Sequence, residues 1–286
     1  MGMIYSSTPL DARIHLELYK NIYVVREKWF RMNALERHIE ICKFILTRRK
    51  DLQFSGQSSC AIRNISRIDK YDLRPNCISE NRKHYDLICW RYGKRDSRAE
   101  TIDGLSVASP ERTICDLAKY DSPASLLVSI NDCLNSKFFK KEDLLNELEA
   151  HKNRKWQNRI KGMLDYASDK CDSALETYAW IAIHEAGYKL PMQQVSIYDN
   201  RTFIGRVDML WEIRNRKIVL ELDGRIKYSN PDVIFDEKIR EDCLREMGYK
   251  FIRATWKDVE NGILLGKLEN AKILKRRYHK KSILDL

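Results

Sequence analysis

Apolar positions in the first part of the chain repeat at strand spacing and then at helical spacing. Residues 14–26 are rich in Leu, Tyr, Ile and Val, which predicts a strand or hairpin. In residues 33–49 the apolar side chains recur three and four positions apart, which predicts an amphipathic helix capped by Asn33. A short helix over 57–65 and three short strands complete an α+β pattern. These strands are expected at 85–91, 100–102 and 105–108, the last two joined by the turn Asp103-Gly104.

Helical spacing dominates the stretch that follows. Ser109 as N-cap and Pro110 as first helical residue mark a helix start. The predicted helices cover 110–120, 123–136, 141–150 and 154–167. The chain is therefore expected to consist of an α+β N-terminal domain over 1–108, a helical connector over 109–167 and a third part over 168–286.

This third part opens at the polar break Ser168-Asp169-Lys170. Asp172 or Ser173 can cap a helix that runs to Glu185. The next predicted elements are strands at 192–198, 203–211 and 216–223, a helix over 232–247 that ends at Gly248, and a strand at 249–253. The order αβββαβ predicts an α/β fold.

Composition then narrows the class of protein. The 286 residues include 52 Lys+Arg against 41 Asp+Glu, and the net charge of +11 points to a polyanion such as nucleic acid. An aromatic share of 10% excludes the disordered class. No apolar run approaches the ~20 residues of a membrane span, so no membrane partner is expected. Cysteines without CxxC spacing and histidines without HExxH spacing predict reduced thiols in a cytoplasmic protein and no zinc site.

Three acids interrupt the apolar strands of the third part. Asp208 lies in one strand, and Glu221 and Asp223 lie in the next. Alternation places Glu221 and Asp223 on one face of the sheet, with the intervening leucines on the other. A hairpin that turns at Arg214-Asn215 brings Asp208 opposite Glu221. Two or three carboxylates are therefore expected to converge.

Carboxylates this close together repel one another unless a cation lies between them. Oxygen ligands suit Mg²⁺, with Mn²⁺ as a possible substitute, and such a site predicts phosphodiester hydrolysis. Ordinary ion pairs of these acids with Arg206 or Arg225 are the structural alternative.

The same residues resemble the PD-(D/E)xK nuclease superfamily, and within it the very-short-patch-repair-like endonuclease domains. Val207-Asp208 matches the first motif position and Glu221-Leu222-Asp223 the second, within a match over about 166–262. Glu176 matches the first-helix acid of that group, and Gln194 stands where a strand-start glutamine is usual. The resemblance implies a restriction-endonuclease-like mixed sheet core, with metal bound by Asp208, Glu221 and Asp223.

One position departs from that pattern. Asp223 replaces the motif lysine, so Lys227 or Lys238 is expected to supply the ammonium group. The basic residues expected to contact nucleic acid are Arg206, Arg225, Arg240, Arg245, Lys275, Arg276 and Arg277. For Arg240 and Arg245 the alternative is a solvated helix face with ion pairs to nearby acids.

The N-terminal region resembles an abortive-infection antitoxin family (AbiEi-like). The matching segments are Tyr19–Val24, Ser55–Ala61 and Val107–Ala118. The chain begins at what would be the wing of that family's winged helix-turn-helix, so its recognition helix is not found.

These patterns together predict a metal-dependent endonuclease that acts on DNA in preference to RNA. The two resemblances imply a bacterial defence or mobile-element context. A homodimer or another protein partner is possible on the same patterns. The alternatives are a catalytically silent nucleic-acid-binding or antitoxin-like regulator and a subunit of a larger nucleoprotein complex.

Overall fold

The computed structural model contains two compact units. It describes residues 3–79, 88–92, 94–150, 154–224, 231–275 and 282–286. The first unit comprises residues 1–126 and 138–164, and the second comprises 127–137 and 165–286. The helices between residues 109 and 167 are thus divided between the two units.

Two small sheets form the β part of the first unit. Its strands are β1 (Ile4–Tyr5), β2 (His15–Tyr19), β3 (Ile22–Val25), β4 (Gln53–Phe54), β5 (Asn76–Ser79), β6 (Cys89–Tyr92), β7 (Glu100–Ile102) and β8 (Leu105–Val107). The sheet orders are β1-β3-β2 and β6-β5-β4-β8-β7. The predicted hairpins within 14–26 and 100–108 are confirmed. The strand expected at 85–91 falls partly outside the described residues.

Among the described residues up to 164, the remaining elements are helices joined by loops. They are α1 (Arg26–Arg31), α2 (Ala34–Arg48), α3 (Gly56–Arg63), α4 (Pro110–Leu117), α5 (Pro123–Asn135), α6 (Lys141–Ala150) and α7 (Arg154–Leu164). Asn33 closes a capping box with Glu36 at the start of α2, and the Ser109 side chain caps α4. Both predicted helix starts are therefore confirmed.

The second unit has the predicted αβββαβ order. Its elements are α8 (Ala174–Glu185), β9 (Met192–Asp199), β10 (Thr202–Ile213), β11 (Arg216–Asp223), α9 (Pro231–Glu246), β12 (Tyr249–Thr255), α10 (Trp256–Glu260) and α11 (Ile263–Asn270). The sheet order is β12-β11-β10-β9, with β9, β10 and β11 antiparallel and β12 parallel to β11. Helix α9 makes the crossover that a parallel pair requires.

This sheet is covered on both faces. Leu220 and Leu222 of β11 belong to a core cluster with Leu175 and Ala179 of α8. Val219 belongs to a second cluster with Leu244 of α9. Since neighbouring residues of a strand point to opposite faces, α8 and α9 pack on opposite sides of β11.

Two further features concern helix length and the cysteines. None of the helices in the described ranges is both long and apolar enough to cross a bilayer. All eight cysteines are free thiols; Cys243 is exposed, Cys89 is partly buried and the others are buried.

Candidate functional site

The β10–β11 hairpin brings Asp208 and Glu221 to adjacent strands. The hairpin turns after Ile213, and its pairing runs from Ile213↔Arg216 to Met209↔Leu220. One position further along this register, Asp208 lies opposite Glu221. The register is the one that a turn at Arg214-Asn215 predicts. Glu221 and Asp223 follow Val219 at two-residue steps, so both lie on the α9 face of the sheet.

The carboxylate of Asp208 binds a backbone N–H at the end of the β10–β11 ladder. Its Oδ2 accepts a hydrogen bond of 2.8 Å from the backbone N–H of Leu222. Its Oδ1 lies 3.5 Å from Nε2 of Gln194, which stands on the neighbouring strand β9. Asp208 is thus fixed between the two strands that flank β10.

Gln194 links two acids through its side-chain amide. Nε2 donates to Oε2 of Glu176 at 2.7 Å and makes the longer contact with Asp208. The residue has a φ of +49°, in the left-handed region. That conformation costs a non-glycine residue about 1–2 kcal/mol. Backbone strain of this kind is found at binding and catalytic sites more often than elsewhere.

Glu176 is buried in the first turn of α8. It is 5% exposed, and its carboxylate accepts hydrogen bonds from the Asp172 backbone N–H at 3.0 Å and the Ser173 hydroxyl at 2.9 Å. Burial and the negative charge of Asp208 raise the pKa of Glu176, and its hydrogen bonds offset only part of that increase. Negative charge at this point is therefore costly in the absence of a cation.

Glu221 is also buried, on the opposite face of the sheet from α8. It is 4% exposed, and its Oε1 lies 3.4 Å from Nη2 of Arg240 on α9. Arg240 also donates from Nη1 to the Arg206 carbonyl at 2.8 Å. A Cβ on Gly205 would lie 2.6 Å from Cδ of Arg240. The missing side chain at Gly205 therefore leaves the space through which Arg240 reaches Glu221.

Asp223, predicted as an auxiliary metal ligand, is held by an arginine. Nη1 of Arg253 on β12 lies 3.0 Å from Oδ1 and 3.2 Å from Oδ2 of Asp223. Nη2 of the same guanidinium donates to Oε2 of Glu241 on α9 at 2.5 Å. Asp223, which the sequence comparison aligns with the motif lysine of the nuclease superfamily that the chain resembles, thus forms an ion pair with Arg253.

The donors available to a metal are the carboxylate oxygens of Glu176, Asp208 and Glu221, which suit a hard cation such as Mg²⁺. Within the described ranges, no three His, Cys, Asp or Glu side chains are already grouped closely enough to hold a metal ion. A metal would therefore have to draw these carboxylates together or complete its shell with water and phosphate.

The remaining predicted residues are spread more widely. Lys238 is exposed on α9. Arg206 pairs with Asp172, and Arg245 pairs with Glu241 one turn away, as the solvated-face alternative predicts. Lys275 is exposed, with its ammonium 5.4 Å from the ring centre of Tyr188. The residues that lie outside the described ranges are Arg225, Lys227, Arg276 and Arg277.

Sequence patterns count Arg253 only among the basic residues of 225–253 that would hold a nucleic-acid backbone. They predict its strand, but they do not predict the pairing of that strand with β11, which places Arg253 beside Glu221. The signal that could have found it is the parallel register expected for a strand–helix–strand unit, combined with a basic residue in an otherwise apolar strand.

Comparisons with known proteins find relatives whose names state no activity. No family model matches the chain. Two curated proteins of Mycobacterium tuberculosis, from strains CDC 1551 / Oshkosh and ATCC 25618 / H37Rv, are each 21% identical to it over 163 residues. The match covers 57% of this chain and 59% of each relative, so the chain spans about three fifths of the relatives' length. Both are named as uncharacterized proteins, so the two family resemblances stay predictions.

Proposed function

We propose that the second unit is a metal-dependent nuclease domain with a restriction-endonuclease-like core and that it hydrolyses DNA phosphodiester bonds. The observation that carries this proposal is the Glu176–Gln194–Asp208 linkage beside Glu221. It combines a buried acid, a strained glutamine and two further carboxylates at the middle of a mixed sheet. The αβββαβ order and the parallel β11–β12 pair are the supporting architecture.

Electrostatics favour a divalent cation at this place. Glu176 and Asp208 share a single amide donor, and burial penalises the charge of Glu176. A cation between the carboxylates would remove that penalty. Mg²⁺ usually needs only one or two protein carboxylates, because water and substrate phosphate fill the rest of its shell. A complete cage of three acids is therefore not a requirement.

Each residue of the site would have a separate role in this reaction. Asp208 and Glu221 would hold the ion, and Gln194 would orient Glu176 and Asp208 toward it. Bound Mg²⁺ would supply acidification of water and positive charge against the phosphate. Arg206 and Arg240, which lie along β10 and α9, would hold the negatively charged backbone.

Cleavage of supercoiled plasmid, single-stranded DNA and RNA in Mg²⁺, in Mn²⁺ and in chelator tests the proposal. We expect DNA cleavage that requires the divalent ion and that falls at least ~100-fold in Asp208→Asn. Glu212→Gln is the matched control, because Glu212 is an exposed acid on the same strand. Equal loss in both variants, or cleavage that persists in Asp208→Asn, would overturn the assignment.

The second candidate is a catalytically silent nucleic-acid-binding regulator with the same fold. The observation that favours it is that Glu221 and Asp223 each already have an arginine partner, Arg240 and Arg253. Arginine pairs can satisfy buried acids without a metal. A gel shift without cleavage, together with no Mg²⁺ binding by calorimetry, would favour this candidate over the nuclease.

A further inference from the structure

Arg253 lies on β12, which is an edge strand of the sheet in the second unit. Strand β12 runs parallel to β11, and the register pairs Arg253 with Glu221 and Thr255 with Asp223. Paired residues of neighbouring strands point to the same face, so Arg253, Glu221 and Asp223 share the α9 face. The side chain of Arg253 is 37% exposed, so part of the guanidinium is open to solvent.

Two carboxylates from different elements hold this guanidinium. Asp223 binds it from β11 and Glu241 binds it from α9, at 3.0 Å and 2.5 Å. Burial alone would lower the pKa of Arg253, but the hydrogen bonds and charges of these two acids raise it. The guanidinium is therefore charged and already oriented, so it would lose little conformational freedom when it binds an anion.

The chemistry of an arginine limits what it can do here. A guanidinium does not give up its proton in proteins, so it cannot act as a general base. It presents several N–H donors in a planar fork that suits phosphate oxygens. The buried acids nearby repel a phosphate. A fixed positive charge beside them would offset this repulsion when a nucleic-acid backbone binds.

We infer that Arg253 is a further phosphate-binding cation of this site, and that Asp223 and Glu241 are positioning residues that orient it. The inference rests on the proposed function, since it assigns a cation of the same site. It replaces the metal-ligand role expected for Asp223, and it supplies the positive charge that Lys227 or Lys238 was expected to provide.

Equilibrium binding of a fluorescent DNA oligonucleotide tests the inference without relying on cleavage. The variants are made in the Asp208→Asn background with Mg²⁺ present, so that the DNA stays intact, and binding is measured over a range of salt concentrations. Arg253→Gln should weaken binding severalfold and lower the slope of log K against log salt by about one phosphate contact. Lys250→Gln, an exposed change three residues earlier on β12, should leave the slope closer to that of the parent.

A double variant distinguishes loss of the contact between Arg253 and phosphate from repulsion of DNA by the Asp223 carboxylate. Arg253→Gln removes this partner from Asp223 and from Glu241. Glu241 keeps Arg245 as a second partner, so the freed negative charge of Asp223 alone could repel DNA. Arg253→Gln with Asp223→Asn removes both charges. If the guanidinium contacts phosphate, the double variant binds as weakly as Arg253→Gln. If it recovers the parent affinity, the inference is overturned. Thermal melts of all variants identify any loss of folding. If Arg253→Gln does not fold, Arg253→Lys is the milder change, and its expected affinity lies between those of the parent and of a variant without the charge.

The two proposals can fail separately. Absence of cleavage by the wild-type chain, with binding still lost in Arg253→Gln, removes the nuclease proposal and keeps the phosphate contact. If the wild type cleaves DNA with metal, and Arg253→Gln cleaves and binds like the wild type, the nuclease proposal is kept and the phosphate contact of Arg253 is removed.

Discussion

At the scale of single residues, Glu176 combines two properties that are unfavourable together. It is almost fully buried, and it lies near a second carboxylate with only an amide between them. Its three hydrogen-bond donors stabilise the charge but do not cancel the cost of burial. A residue with this balance is expected where a cation or a proton completes the site.

The raised pKa of Glu176 gives a prediction with a definite sign. Between its ordinary value of 4.5 and the raised value, the folded protein holds the proton more tightly than the unfolded chain. The stabilisation from that proton is fully present below pH 4.5 and is lost as the pH rises through the raised pKa. The quantity to measure is the difference in unfolding free energy between the wild type and Glu176→Gln, in the presence of chelator. We expect this difference, wild type minus variant, to decrease from pH 4.5 to pH 7. Denaturant melts at several pH values measure it, and an increase over that range would show that the pKa of Glu176 is not raised.

Gln194 allows the amide and the backbone to be tested separately. Gln194→Ala and Gln194→Gly both remove the amide, and both should reduce cleavage. They differ in backbone, since glycine accepts a φ of +49° without strain and alanine does not. We expect the glycine variant to be more stable than the alanine variant by about 1 kcal/mol. Denaturant melts give the difference; equal stability would mean that the backbone relaxes out of the left-handed region.

At the scale of elements, Ser173 at the start of α8 both caps the helix and holds the side chain of Glu176. The Ser173 side chain accepts the Glu176 backbone N–H at 3.2 Å, and its hydroxyl donates to the Glu176 carboxylate. One serine therefore caps the helix and helps to hold the site residue.

Ser173→Ala should remove both interactions. We expect a loss of ~1 kcal/mol in unfolding free energy from the lost N-cap. Without the hydroxyl, the pKa of Glu176 should rise further, so the pH-dependent loss of stability should extend to higher pH. Ser173→Asp is the control, since aspartate restores the cap but places a new negative charge beside Glu176. The expected result for that variant is recovery of the N-cap stability, with the pH-dependent loss of stability still extending to higher pH.

Local patterns predicted most of this framework. Alternation in β11 gives the faces of Glu221 and Asp223, and the Arg214-Asn215 turn gives the register that places Asp208 opposite Glu221. The left-handed backbone of Gln194 was not predictable, because glutamine carries no preference for it. The pairing of Asp223 with Arg253 depends on packing between elements distant in the chain, which spacing alone does not encode.

At the scale of the whole molecule, binding of a polyanion depends on where the charges lie as well as on the net charge of +11. Arginines offset several acids of the candidate site: Arg206 pairs with Asp172, Arg240 with Glu221 and Arg253 with Asp223. Several acids of this unit are therefore already paired with arginines. A polyanion that binds here would have to exchange some of these pairs for its own phosphates.

The proposed function depends above all on the binding of a divalent cation by Asp208 and Glu221. Crystals of the protein with a short DNA duplex, soaked in Mn²⁺, test this binding, because the anomalous signal of the metal locates it without reference to activity. We expect a peak about 2.0–2.3 Å from carboxylate oxygens of both residues, absent from Asp208→Asn crystals. A map without that peak, in which Arg240 still pairs with Glu221 and Arg253 with Asp223, would show that these acids are satisfied by arginine and not by metal.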